Sequence, residues 1–414
     1  MNILTKLYCV LMVIALAMTS CTVNTGAPEE ENTDTIEEAV ITTTSWTAAP
    51  TAPTTTDRNV YGAATFATGT LTSPSIPGNI NMVAVNGSNY MMMHQQFNTS
   101  GSVVTSAWNY VPNSPTFKTS DAFNANGGAA LAVAPCSWAR ERYIVFGIDR
   151  SSGYVKYIIR ELNTVGNWVW GNWNTLTEMG TVQSIGVERP RSSSSTYITL
   201  VARNTAGSLV YGHIRTDTGI PYTSSNNNFY GPWALNSYTY PEDQVSNPVV
   251  IDTGTSGSVD VYYIRIPNRS SYSYIYHGVY TGGTGCNGSY LGGPSCWTWS
   301  ILPKPTASGS WKKFNTQLWR VNATSGAQNQ VCQVASYVPT GGSQQLYQRC
   351  SVGSTLNVFG TWGSIGAQGN WDYTLPMASF ISGGSGLYAR LYIYETQKNL
   401  FSPSNKNVKT YSDQ

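Results

Sequence analysis

The chain has 414 residues, with 23 Lys or Arg, 21 Asp or Glu, 3 His and a formal charge of +2. Only 11% of residues are charged while 12% are aromatic, and 39 are Gly, so a large core can form from neutral side chains. The basic residues are spread along the chain without a cluster, which excludes nucleic acid as a partner.

Lys6 and the apolar run Leu7 to Ala17, 11 residues long, form a signal-peptide core. A membrane span needs about 20 apolar residues. Met18-Thr19-Ser20-Cys21 follows and resembles the lipobox of bacterial lipoproteins, with Met18 where that motif prefers leucine. The resemblance implies loss of residues 1–20 and lipidation of Cys21. Thr22 in place of aspartate implies the outer membrane or cell surface of a bacterium, reached through the lipid anchor alone. A plain secretory signal with an incidental cysteine is the alternative. Residues 21–58 then read as a tether: Glu29, Glu30, Glu31, Asp34, Glu37 and Glu38 precede a Thr/Pro/Ala tract too polar to offset chain entropy by burial.

The remainder, 59–414, is one domain. Without Lys6 and Arg58, and without the six tether acids and Asp57, it carries 21 basic (23 − 2) and 14 acidic (21 − 7) residues. No stretch holds a helical apolar period, and short β-branched runs bounded by Gly, Asn, Pro and Ser predict an all-β fold. A tryptophan recurs at 46, 108, 173, 233, 297 and 362, at intervals of 62, 65, 60, 64 and 65. A near-constant period of this length marks a repeat architecture.

Each tryptophan closes a unit of four strands. The first unit offers 65–72, 81–85, 89–97 and 103–110, turning at Asn86-Gly87, and the second 128–135, 142–149, 154–160 and 168–176. The third has 184–190, 196–203, a turn at 204–207, 208–213 and a strand holding Trp233. The fourth repeats it with 247–252, 259–265, a turn at 267–271, 274–277 and Trp297. His213 and His277 each stand 20 residues before their tryptophan (233 − 213, 297 − 277). The fifth has 316–321, 330–338, 344–352 and 357–365; the sixth has 375–381, 387–394 and a strand near Leu400. The sixth lacks its tryptophan strand, which the N-terminus can supply from 41–46, or from 60–65. The expected fold is a single six-bladed β-propeller of four-stranded blades closed by an N-terminal strand, with seven blades as the alternative.

Cysteines of an exported domain favour disulfides over metal. Cys332 and Cys350 flank Pro339-Thr340-Gly341-Gly342 symmetrically, so a hairpin there would oppose them. Cys286 and Cys296 would close a Gly-rich loop, and Cys136 reads as a small buried hydrophobe. The histidines lie in separate units without ligand spacing, so no metal or other cofactor is implied.

Val201-Ala202-Arg203 with Val210-Tyr211-Gly212-His213 and Trp233, and Tyr263-Ile264-Arg265 with Ile275-Tyr276-His277 and Trp297, resemble the blades of lectin-type β-propellers. These include the fucose-binding six- and seven-bladed lectins and their tectonin-like relatives. The resemblance implies a non-catalytic carbohydrate-binding protein with pockets between blades built from Arg, Glu and an aromatic. Glu161 alone approximates that Glu, so fucose itself is not implied. Arg203, Tyr211, His213, Trp233, Arg265, Tyr276, His277 and Trp297 are the candidate ligand residues, offering flat faces to sugar C–H surfaces and fixed donors to hydroxyls. The competing reading packs the tryptophans between sheets and the Tyr and His in the core. The expected partner is a glycan or glycoprotein and the expected state a monomer.

Two alternatives stand. A protein-binding scaffold or adhesin would use the same exposed aromatics. A glycoside hydrolase needs two carboxylates, for which Glu188 and Asp252, on first strands of adjacent blades, are the candidates, with Asp372 before another. The Ser-x-Asp-x-Gly-x-x-Trp box of sialidases, Gly-x-Ser-x-Gly and phosphate loops are absent from the sequence.

Overall fold

The computed structural model describes residues 43–48, 60–67, 80–86, 88–97, 109–119, 131–136, 142–188, 197–215, 229–235, 242–251, 259–268, 270–280, 296–306, 308–323, 326–351, 358–364, 377–382, 388–394 and 407–412. The expected signal peptide, Cys21 and most of the tether lie outside them. Every named element is a β-strand, and the strands pair into six sheets. β1 (Thr43–Ala48) joins the last of these. Sheet 1 holds β2 (Val60–Ala67), β3 (Ile80–Asn86), β4 (Met91–Phe97) and β5 (Asn109–Tyr110). Sheet 2 holds β6 (Leu131–Pro135), β7 (Arg142–Ile148), β8 (Val155–Leu162), β9 (Trp168–Trp170) and β10 (Asn174–Leu176). Sheet 3 holds β11 (Val182–Glu188), β12 (Tyr197–Asn204), β13 (Leu209–Arg215) and β14 (Phe229–Ala234). Sheet 4 holds β15 (Gln244–Val245), β16 (Val249–Ile251), β17 (Asp260–Ile266), β18 (Tyr274–Tyr280) and β19 (Trp297–Ile301). Sheet 5 holds β20 (Gly309–Ala323), β21 (Gly326–Pro339), β22 (Gln345–Cys350) and β23 (Gly363–Ser364), and sheet 6 holds β24 (Met377–Ser382), β25 (Tyr388–Tyr394) and β26 (Asn407–Ser412) with β1 outermost.

First strands meet in sequence: β2 lies beside β6, β6 beside β11, β11 beside β16, β16 beside β20, β20 beside β24 and β24 beside β2. Antiparallel sheets arranged radially in this way are a β-propeller. The residue pattern follows from it. Second strands such as β7 and β12 are sandwiched by neighbouring sheets and buried on both faces, so they carry apolar runs, Tyr143 to Phe146 and Leu200 to Ala202. Outer strands such as β9 and β23 keep one or both faces exposed.

Several boundaries differ from the sequence-based expectation. The first strand of sheet 1 is Val60–Ala67, not 65–72, because its pairing with β3 runs from Val60 opposite Asn86 to Ala67 opposite Ile80. That stretch is therefore not the strand that completes sheet 6. β1 is, with Trp46 opposite Lys409. The first strand of sheet 4 is interrupted at Pro248, which cannot donate to a ladder, so β15 and β16 pair separately with β17. The outer strand of sheet 2 breaks after Trp170, and both halves pair with β8. β20 begins at Gly309, seven residues before the expected 316 (316 − 309).

The hairpin symmetry of the cysteines holds: Cys332 opposes Cys350 across β21 and β22, and the two are bonded. Cys296 is disulfide-bonded too, while Cys286 lies outside the described residues. Cys136 packs in the apolar cluster that joins sheets 2 and 3.

Three of the recurring tryptophans, Trp173, Trp297 and Trp362, tie their unit to the one before. Trp173 Nε1 donates to the Pro112 carbonyl at 2.9 Å, and Trp362 Nε1 to the Pro303 carbonyl at 2.9 Å, spanning 61 and 59 residues. Trp297 is buried among Tyr211 of sheet 3 and Tyr280 and Trp299 of its own sheet. Trp233 packs on Tyr211 and His213.

Candidate functional site

The strand register decides what the repeated His and Arg can do. Thr199 opposes His213 in sheet 3, and Tyr262 opposes His277 in sheet 4. Counted from those pairs, Arg203 is four residues on (203 − 199) and Arg265 three (265 − 262). A difference of one residue moves a side chain to the opposite face. The histidines are therefore equivalent and the arginines are not. Arg203 faces sheet 4 and Arg265 faces sheet 3, so they meet across one junction, which corrects the expectation of two equivalent arginines.

At that junction both arginines converge on Asp243. Arg265 Nε donates to Asp243 Oδ2 at 2.7 Å and its Nη1 to the Tyr276 hydroxyl at 3.2 Å. Arg203 Nη2 donates to the Asp243 backbone carbonyl at 2.9 Å and Nη1 to Gln183 Oε1 at 3.0 Å. Arg203 is 1% exposed, and its burial lowers its pKa against the pull of Asp243. Burial also opposes the Arg265 charge, but the bonds to Asp243 and Tyr276 outweigh it and raise that pKa. The equivalent histidines are buried differently. His213 Nδ1 bonds Thr199 Oγ1 at 3.1 Å, and burial pushes its pKa down to about 4, leaving a neutral ring at pH 7. His277 Nε2 meets Asp260 Oδ2 at 2.7 Å and stacks on Tyr262, centroids 4.2 Å apart. Tyr211, Trp233, Tyr276 and Trp297 share one apolar cluster between sheets 3 and 4. Seven of the eight expected ligand residues are buried, and Trp233 is half-buried.

A different group has the chemistry of a binding site. Arg160 on β8 opposes Tyr143 of β7 and Trp170 of β9. Trp168 and Trp170, two apart on β9, project to one side, and the Arg160 guanidinium lies 5.0 and 5.4 Å from their ring centres. Its Nε is buried with no hydrogen-bond partner, and burial drives its pKa down to about 10. The neighbouring carboxylate turns to the other face, where Glu161 accepts from Arg142 Nε at 2.8 Å. Glu161 therefore does not complete a pocket with Arg160. The cluster around Tyr143 and Ile158 joins sheets 1 and 2, so this site stands at a junction between blades.

Sheet 5 carries a counterpart. Arg349 on β22 lies 4.7 Å from the Phe359 ring and 4.5 Å from the Trp362 ring, with its pKa also lowered by burial to about 10. Here Nε is satisfied by Gln333 Oε1 at 2.8 Å. Arg160 and Arg349 each stand 13 residues before a recurring tryptophan (173 − 160, 362 − 349). That spacing was the available sequence signal for both.

Glu188 ends β11, opposite Thr199, while Asp252 and Asp372 lie outside the described residues. Among the described residues no three His, Cys, Asp or Glu side chains gather to hold a metal.

No protein-family model and no curated protein sequence matches the chain. Among solved structures it is similar to AofleA from Arthrobotrys oligospora, at 8% identity over 83% of this chain and 82% of that one, TM-score 0.50. It is also similar to BP39L lectin from Burkholderia pseudomallei, at 12% identity over 86% and 97%, TM-score 0.47. The fucose-specific lectin from Aleuria aurantia is similar at 10% identity over 88% and 97%, TM-score 0.43. At 8% identity the likeness to AofleA speaks for the fold alone and not for a ligand.

Proposed function

We propose that this chain is a lectin-like protein that binds glycans at junctions between the blades of a six-bladed ring closed by its N-terminal strand, without catalysis. The observation that carries the reading is Arg160: a buried guanidinium donor left without an acceptor beside two half-buried indoles. An unsatisfied buried donor costs free energy, and sugar hydroxyls are the acceptors that indole faces bring into place. The bacterial lipobox-like stretch ending at Cys21 supports display on the outer membrane or cell surface at the end of an acidic tether.

The test is a glycan array probed with full-length protein. Saturable binding that Arg160→Ala abolishes supports the reading, and Arg349→Ala shows whether the sheet 5 counterpart contributes. No glycan binding, with specific capture of a protein, would transfer the function to the scaffold reading.

A further inference from the structure

A cavity of about 570 Å3 is lined by Tyr272, Tyr274, Ile301, Lys304, Thr306 and Ser308, with Leu302 and Pro305 between them. It lies where the β17–β18 hairpin meets the segment joining β19 to β20, away from Arg160. We infer that it binds an acidic saccharide, with the carboxylate on Lys304 and the pyranose against the tyrosines. The saccharide half of this inference rests on the glycan-binding reading, whereas the acidic half rests on the cavity alone.

Lys304 is a half-buried cation whose environment contains rings instead of a carboxylate. Its Nζ lies 4.6 Å from the Tyr274 ring centre and 5.4 Å from that of Tyr272. It donates one hydrogen bond, to the Gly309 carbonyl at 2.8 Å. An ammonium has three donors, so two remain for a ligand. The lining contains no Asp or Glu, and among the described residues Lys304 forms no ion pair. Burial lowers its pKa, and an incoming carboxylate would reverse that effect. Tyr272 is 43% and Ile301 52% exposed, which leaves apolar area open to sugar C–H groups. The volume falls in the range of small-molecule sites, roughly 300–1,000 Å3. The basic excess of the domain, 21 against 14, favours approach of an acidic glycan.

Titration calorimetry of full-length protein with methyl glucuronide, methyl glucoside and acetate tests the inference. Methyl glucuronide should bind about tenfold tighter than methyl glucoside, the advantage of one hydrogen bond to a charged group. Lys304→Met should abolish that preference, and raising salt from about 0.05 to 0.5 M should weaken the glucuronide alone. The salt series decides the matter if Lys304→Met fails to fold. Equal affinity for the two sugars, or a preference that survives Lys304→Met, overturns the inference. Acetate binding as tightly as glucuronide overturns its saccharide half. Array binding through Arg160 is a separate readout: if it persists while the uronate preference is missing, this inference alone fails.

Discussion

Arg160 should be a residue that the protein would be more stable without. A cation whose folded-state pKa lies below its unfolded value penalises the folded state wherever it is charged, so the full cost applies below about pH 10. Holding Arg160 at about 10 corresponds to a penalty of about 3 kcal/mol, at 1.36 kcal/mol per pKa unit. The contacts to Trp168 and Trp170 return roughly 1–2 kcal/mol together. Arg160→Met keeps an unbranched apolar stem in the slot and removes the charge, so stability should rise by about 1–2 kcal/mol. Glycan affinity should fall by about 10- to 100-fold through the lost charged donors. Guanidinium unfolding followed by tryptophan fluorescence gives the first quantity, and titration with the best array ligand the second. A Met variant that loses 2 kcal/mol or more while binding normally would show that the guanidinium is structural and refute the reasoning.

Asp243→Ala should destabilise by about 3–5 kcal/mol, since it strands the Arg265 charge in a buried junction; Arg265→Met in the same chain should recover part of this, read by denaturant midpoint. Replacing both Cys332 and Cys350 by Ala opens an 18-residue loop and should cost about 3 kcal/mol, a difference that reduction of the wild type should exceed, because it also opens the bridge at Cys296. His213 has a folded pKa near 4 against an ordinary 6.5. Stability should therefore fall as pH drops from about 6.5 towards 4, by about 3 kcal/mol at most, and His213→Gln should flatten that part of the profile.

The fold was legible because its period is long and its marker is large. A tryptophan every 60 to 65 residues outweighs loose strand boundaries, and the disulfide could be read because hairpin symmetry alone places Cys332 opposite Cys350. The direction of the arginine side chains was not legible, for a reason of one residue. Arg203 and Arg265 look equivalent when distances are counted along the chain, but the loop between β12 and β13 is shorter than that between β17 and β18. The pairing then puts Arg203 opposite Leu209 and Arg265 opposite Tyr274, on opposite faces of their sheets. Spacing to the tryptophan compares positions across a loop, whereas side-chain direction depends on the ladder. His213 and His277 survive the comparison because each keeps its face relative to its partner strand. Arg160 and Arg349 share their 13-residue spacing to a recurring tryptophan only with each other, and sheets 2 and 5 are not neighbours, so no adjacent pair of units displays the pattern.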